Sequence, residues 1–215
     1  MNSLFIIGLK VSIIQAKKDE VKKEIESAAL KVFFRKGFVD AKMSDIADEI
    51  QISVGNIYTY FKNKKELFYS VVPPSLVDYL KNVLVESIHI DNQTFFEETH
   101  NEKKSAIVQE QINLLTQYSM QIVIIFEKNK GTIYSNAKNE LIDLMIETKK
   151  PYLKNTYKRY EIGTDENMIL LNIIANNVIH MTLDLLKRDM SADSRKRVFE
   201  ALSLYRLHGL KSLNE

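Results

Sequence analysis

Cysteine is absent from this 215-residue chain, and only six glycines and three prolines occur in it. Without cysteine there can be no disulfide and no thiolate metal centre, and a reducing cytoplasm is the setting this fits. So few turn-formers, among long runs of Ile, Leu, Lys, Glu and Asn, argue against a turn-rich β fold and for helices. No nucleophile elbow, phosphate loop or Rossmann glycine pattern is present, and no enzyme or cofactor is expected. Neither sign of charge dominates, since the formal net charge is +2. It is unevenly placed, however. Residues 1–72 carry 12 basic and 9 acidic side chains, against 18 and 19 in the remainder. That mild asymmetry suits a nucleic-acid-binding end on a near-neutral body.

The start of the chain is apolar, with Leu4, Phe5, Ile6, Ile7, Leu9, Val11, Ile13 and Ile14. Lys10 interrupts the run and Ile13-Ile14-Gln15-Ala16-Lys17 follows, which is not the layout of a signal peptide. The run is also too short to span a bilayer. Residues 1–18 are expected to be an N-terminal extension, docked or disordered, with no membrane partner.

What is present is concentrated between Ser44 and Glu66, SDIADEIQISVGNIYTYFKNKKE. Two short amphipathic helices joined by a tight turn are followed by a lysine cluster. Ile46, Ala47 and Ile50 form the buried stripe of the first helix, with small Ala47 at the close approach. Ile52 fills the turn. Ser53 stands as N-cap of a second helix, Val54 to Phe61, in which Ile57 and Phe61 face the core. Val54, Gly55 and Asn56 are left at the tip, where a helix-turn-helix reader enters the major groove.

From about Lys22 to Val72 the chain resembles the TetR family of transcriptional regulators (TetR/AcrR type). The resemblance rests on four pieces in order and at the family spacing: Phe34-Arg35-Lys36-Gly37-Phe38, Asp45-Ile46-Ala47, Tyr58-Thr59-Tyr60-Phe61, and Lys64-Lys65-Glu66-Leu67-Phe68. The resembling segment covers about a quarter of the chain. Gln51 departs from the family, which usually has glycine in the turn. A positive φ at that residue would cost about 1 kcal/mol.

The resemblance implies an all-α protein: a three-helix helix-turn-helix domain over 19–72, then a helical ligand-binding and dimerisation domain over 73–215. It implies a dimer on palindromic double-stranded DNA, most simply a repressor, released by a small-molecule effector. Phosphates are expected to meet Ser44, Ser53, Tyr58, Thr59, Tyr60 and Lys64, supplemented by Lys42, Lys62 and Lys65. Bases are expected to meet Asn56, able to bond adenine twice, Val54, able to touch a thymine methyl, and Gly55, which lets the backbone approach. With no arginine on the recognition helix, an A/T-leaning half-site is expected.

In the body, helical patterns run from about 105 to 127, across 134–160 with Pro151 in the middle, from 165 to 187 and from 191 to 213. Pro73-Pro74 should break the helix that begins near Lys64. Candidate effector contacts are the polar, aromatic or flexible side chains on apolar helices: Tyr118, Met120, Phe126, Tyr134, Met145, Tyr152, Asn176, Asn177 and His180. The helix over 165–187 is apolar over most of its circumference and must be covered on two sides. Ile169, Ile173, Met181 and Leu185 on it, with Val198, Leu202, Tyr205 and Gly209 on the next, are the expected homodimer interface. The competing class is a helical metal-binding enzyme. Glu86-Ser87-Ile88-His89 and Glu97-Glu98-Thr99-His100 have the i, i+3 spacing of carboxylate-bridged di-iron bundles. The two pairs begin only 11 residues apart, and no facing glutamates accompany them.

Overall fold

The computed structural model describes residues 2–93, 102–155 and 163–212, all of whose regular elements are helical. Helix α1 (Asn2–Asp40) carries Ile25, Ala28, Ala29, Val32 and Phe33 as a fully buried face. Residues 2–18, expected as a separate extension, continue this helix. Gly37 interrupts it with φ 76° and ψ 174°, a backbone state that costs glycine nothing. Three short helices follow: α2 (Met43–Glu49), α3 (Val54–Tyr58) and α4 (Lys64–Val71). Pro73-Pro74 ends this run as expected, and Pro74 opens α5 (Pro74–Gln93), a position where proline's missing N–H is harmless.

The body consists of α5, α6 (Glu102–Gln117), α7 (Ser119–Glu127), α8 (Ala137–Lys149), α9 (Thr164–Lys187) and α10 (Ala192–Ser212). The continuous pattern over 105–127 is in fact two helices, separated where Tyr118 leaves helical dihedrals (φ −115°, ψ 25°). Pro151 acts as anticipated: α8 stops at Lys149 and tightens into a 3₁₀ turn, Lys150–Asn155. The end of the 134–160 stretch lies outside the described residues.

Helix α7 occupies the centre. Ile122, Val123, Ile124, Ile125 and Phe126 are all buried, which requires neighbours on every side. They are supplied by α1, α6, α8 and α9. Helix α9, in contrast, is covered along one side only. Leu171, Ala175, Ile179, Leu183 and Leu186 face inward, whereas Ile169 and Ile173 are more than half exposed. By length and composition α9 could cross a membrane, but its inward face is packed against α7, α8 and α10.

Candidate nucleic-acid interface and body cavity

The reader is assembled from helices too short to persist alone; an isolated helix under about 12 residues is marginal in water. Packing holds them. Ile46 and Ala47 of α2, Ile57 of α3, Phe61, and Leu67 and Phe68 of α4 are buried against the inner face of α1. Ion pairs close the outer edge: Arg35 of α1 with Glu49, and Lys36 with Asp45 at 2.9 Å. The Lys36 ammonium, with the Lys42 backbone N–H donating at 2.9 Å, holds the Asp45 carboxyl below its ordinary range. Arg35 does the same for Glu49.

Side chains cap the starts of α3 and α4. Ser53 Oγ accepts from the Asn56 N–H at 3.1 Å, the N-cap expected for the second helix. That helix is shorter than its pattern: α3 ends at Tyr58, and Thr59 Oγ1 donates to the Asn56 carbonyl at 2.7 Å. Asn63, not anticipated from the sequence, caps α4 by accepting from the Glu66 N–H at 2.8 Å. The Glu66 carboxylate in turn accepts from the Lys62 N–H at 2.8 Å. Gln51 takes a φ of 56°, the one non-glycine positive φ among the described residues. The positive φ foreseen for this turn is thus present on a non-glycine residue.

With Ile57 and Phe61 anchoring the inner side, the outer side is a compact patch. Lys42, Ser44, Ser53, Gly55, Tyr58, Thr59, Lys62 and Lys65 are exposed, and Val54, Asn56 and Tyr60 are half-buried. Ser44 lies one residue inside α2, whose N-cap is Lys42. Lys64 is placed differently from the other candidates. Its ammonium donates to the carbonyls of Phe38 (2.7 Å), Val39 (3.2 Å) and Ala41 (2.8 Å) and lies 4.7 Å from the Phe38 ring centroid. A lysine has three donors, so this one is committed to fastening α4 to the end of α1 and is not free for a phosphate.

The reader meets the body at a second cluster. The Phe38 N–H donates to the Lys128 carbonyl at 3.4 Å, immediately after α7. A Cβ added at Gly37 would stand 3.2 Å from that same oxygen. Tyr134 is buried, its hydroxyl donating to the Val72 carbonyl at 2.6 Å, and burial pushes its ionisation well above the ordinary range. The Ile133 N–H donates to the Tyr69 hydroxyl at 3.1 Å. Phe33, Phe38, Phe68, Tyr69 and Tyr134 stack edge-on or tilted through this joint. Tyr134, expected as an effector contact, is therefore a joint residue.

A cavity of about 150 Å³ opens inside the body, between α5, α6, α7, α8, α9 and α10. Of the nine expected effector contacts, Phe126 and Met145 line it. The others are elsewhere for identifiable reasons. Tyr118 packs beside the core at the α6–α7 break, and Met120 is half-buried but off the wall. Tyr152 is paired with His89 Nδ1 at 2.9 Å. Asn176 donates to Asn172 in its own helix, and Asn177 and His180 are exposed on the outward side of α9. The wall is mostly residues without a polar signature, such as Leu80, Val83 and Leu114, with Gln111 and Thr182 among its few polar groups. Spacing alone could not distinguish them from core.

The expected interface residues divide in the same manner. Ile169, Ile173, Val198 and Tyr205 are exposed. Leu185 is core, and Met181 and Leu202 face the cavity. Leu204, which the periodicity missed, is 58% exposed and adds to the outward face. For Gly209 the structure gives only its place in α10. Of the two Glu-x-x-His pairs, Glu97 and His100 lie outside the described residues. No group of three His, Cys, Asp or Glu side chains is placed to hold a metal among those described.

Residues 25–71 match the family described as "Bacterial regulatory proteins, tetR family". Two Bacillus subtilis (strain 168) proteins are similar. The uncharacterized HTH-type transcriptional regulator YfiR is 36% identical over 66 residues, 31% of this chain and 32% of that protein. The uncharacterized HTH-type transcriptional regulator YerO is 21% identical over 168 residues, 78% of this chain and 56% of that protein. The matched region thus spans about a third of the first relative and just over half of the second. Among solved structures, a TetR-like transcriptional regulator from Rhodococcus sp. RHA1 superposes with a TM-score of 0.47 at 18% identity, covering 87% of this chain and 95% of that one. A transcriptional regulator from Aquifex aeolicus VF5 gives 0.46 at 17%, covering 86% and 98%.

Proposed function

This chain belongs, by its N-terminal domain, to the TetR family of transcriptional regulators, and we propose that it is a homodimeric repressor that a small molecule releases from a palindromic operator. The observation that carries the reading is the outward patch around α3. Ile57 is fully buried, whereas Ser53, Gly55, Tyr58 and Thr59 are exposed beside half-buried Val54 and Asn56. A five-residue helix held so firmly on one side, with a backbone bare of side chain at Gly55, suits insertion into a major groove. Lys42, Lys62 and Lys65 flank it for phosphates, and Asn56 is the base-reading group. The function is binding rather than catalysis, and the setting is the cytoplasm.

Dimerisation is supported by the uncovered side of α9 and α10, where Ile169, Ile173, Val198, Leu204 and Tyr205 are exposed. Single exposed apolar residues are ordinary on a protein surface; a group shared by two adjacent helices suits a partner. Coupling is supported by α7. Ile122 and Phe126 line the cavity, and the Lys128 carbonyl, two residues beyond Phe126, accepts from the Phe38 N–H at the end of α1. A molecule that moved α7 would thereby turn the reader.

Selection from a randomised duplex pool with the full chain tests this. Enrichment of a palindrome whose half-sites lie one or more helical turns apart is the expected result. Retention without enrichment, lost smoothly as salt rises, would leave only phosphate attraction and refute it.

A further inference from the structure

We infer that the effector is an uncharged, mainly apolar molecule carrying one hydrogen-bonding group, and that Gln111 receives that group. The inference rests on the reading of the body as an effector domain, and it concerns what the cavity can hold. Not one of its lining residues is Asp, Glu, Lys, Arg or His. A charge drawn in among these side chains would leave water without meeting a counter-charge, a cost that contact with hydrocarbon does not offset. The carboxylate next in sequence to the wall, Glu110, already accepts the Tyr79 hydroxyl.

The polar groups of the wall are Gln111, Thr182 and Ser203. Thr182 Oγ1 gives its proton to the Val178 carbonyl at 2.9 Å. Gln111 is half-buried, and its amide both donates and accepts, so it can meet a hydroxyl, a carbonyl or an amide equally. A dry apolar cavity of about 150 Å³ accepts a benzene ring, and Met145 and Met181 can reshape this one further. The size class is therefore roughly six to twelve non-hydrogen atoms.

Three probes of one shape separate head-group charge from chain: 1-octanol, octanoate and octylammonium, titrated at neutral pH into the full-length protein with ¹³C-methyl methionine. The Met145 and Met181 methyl resonances report occupancy directly. Octanol is expected to shift both, with the ions at least about tenfold weaker. Gln111→Leu should weaken octanol about two- to tenfold, the range of one hydrogen bond, and Val178→Phe should abolish the shifts by filling the space. Octanoate or octylammonium binding as tightly as octanol would overturn the inference. So would no shift with any probe at millimolar concentration, or octanol binding undiminished by Gln111→Leu. These outcomes are read without DNA, so they stand apart from the duplex selection: an enriched palindrome together with a preference for an ion would sink the effector class alone.

Discussion

The reader and the body are both helical, and they spend their apolar residues differently. In the reader, helices of 5 to 8 residues pack with α1 into one shared core: Phe33, Ile46, Ile57, Leu67 and Phe68 are all fully buried. In the body, helices of 9 to 24 residues carry more apolar surface than they can cover among themselves. The surplus becomes an inner cavity and an outer face of α9 and α10. Short elements must be over-determined by packing and caps because they have no stability of their own. Long ones can leave a void or a bare stripe and still persist, and such openings are what a ligand and a partner require.

If that contrast is right, the same kind of injury should be felt unequally in the two regions. The largest effect is expected from Phe68→Ala, which empties the centre of the aromatic cluster shared by α1, α4 and the joint. Urea denaturation should register a loss of about 3–5 kcal/mol. Among leucines, Leu114→Ala at the cavity wall should cost visibly less than Leu67→Ala in the reader, although both are buried, because the wall already borders empty space. Equal losses would remove the distinction between a closed and an open core.

Next comes Lys64. Lys64→Ala uncovers three carbonyls at the end of α1 and should destabilise the reader by about 2 kcal/mol. Lys65→Ala should leave stability alone and reduce the slope of log K against log salt by about 0.9. Should Lys64→Ala change the salt slope and not the melting temperature, its ammonium would be a phosphate ligand after all.

Asn56→Ala should cost roughly 1–3 kcal/mol of operator binding, concentrated at one base position. Uniform weakening over all sequences in a competition assay would show that Asn56 positions the helix and does not read. The smallest change is expected at Gln51. Gln51→Gly relieves a positive φ worth about 1 kcal/mol and loses part of that gain to a freer unfolded chain. A rise in thermal midpoint of a few degrees at most would fit; a fall would mean that Gln51's side chain has a role the turn geometry does not reveal.

Much of the reader was legible because its signals are local. Ser53 caps three residues on, Ile57 and Phe61 are one turn apart, and Pro73-Pro74 stops α4 wherever it is placed. What the sequence did not show there was the Asn63 cap and, at long range, the role of Lys64, which meets carbonyls 23 to 26 residues earlier although its lysine-rich surroundings suggest a phosphate contact. The body was legible as helices and little further. Tyr118 ends α6 without a glycine or proline to announce it. Tyr134 and Met145 look alike as candidate contacts, yet one is locked to Val72 and the other lines the cavity.

The amino-acid sequence by itself determined the all-helical class, the reader motif with its Ser53 cap and turn, and the proline breaks, since each depends on dihedral preferences and hydrogen bonds within a few residues. Only the tertiary structure decided which apolar side of α9 is core and which is bare, where the cavity opens, and that Lys64 and Tyr134 are fasteners. Those outcomes depend on how helices distant in sequence share their surfaces. An apolar residue has the same affinity for a neighbour, a ligand or a second subunit, and only the packing determines which of them it meets.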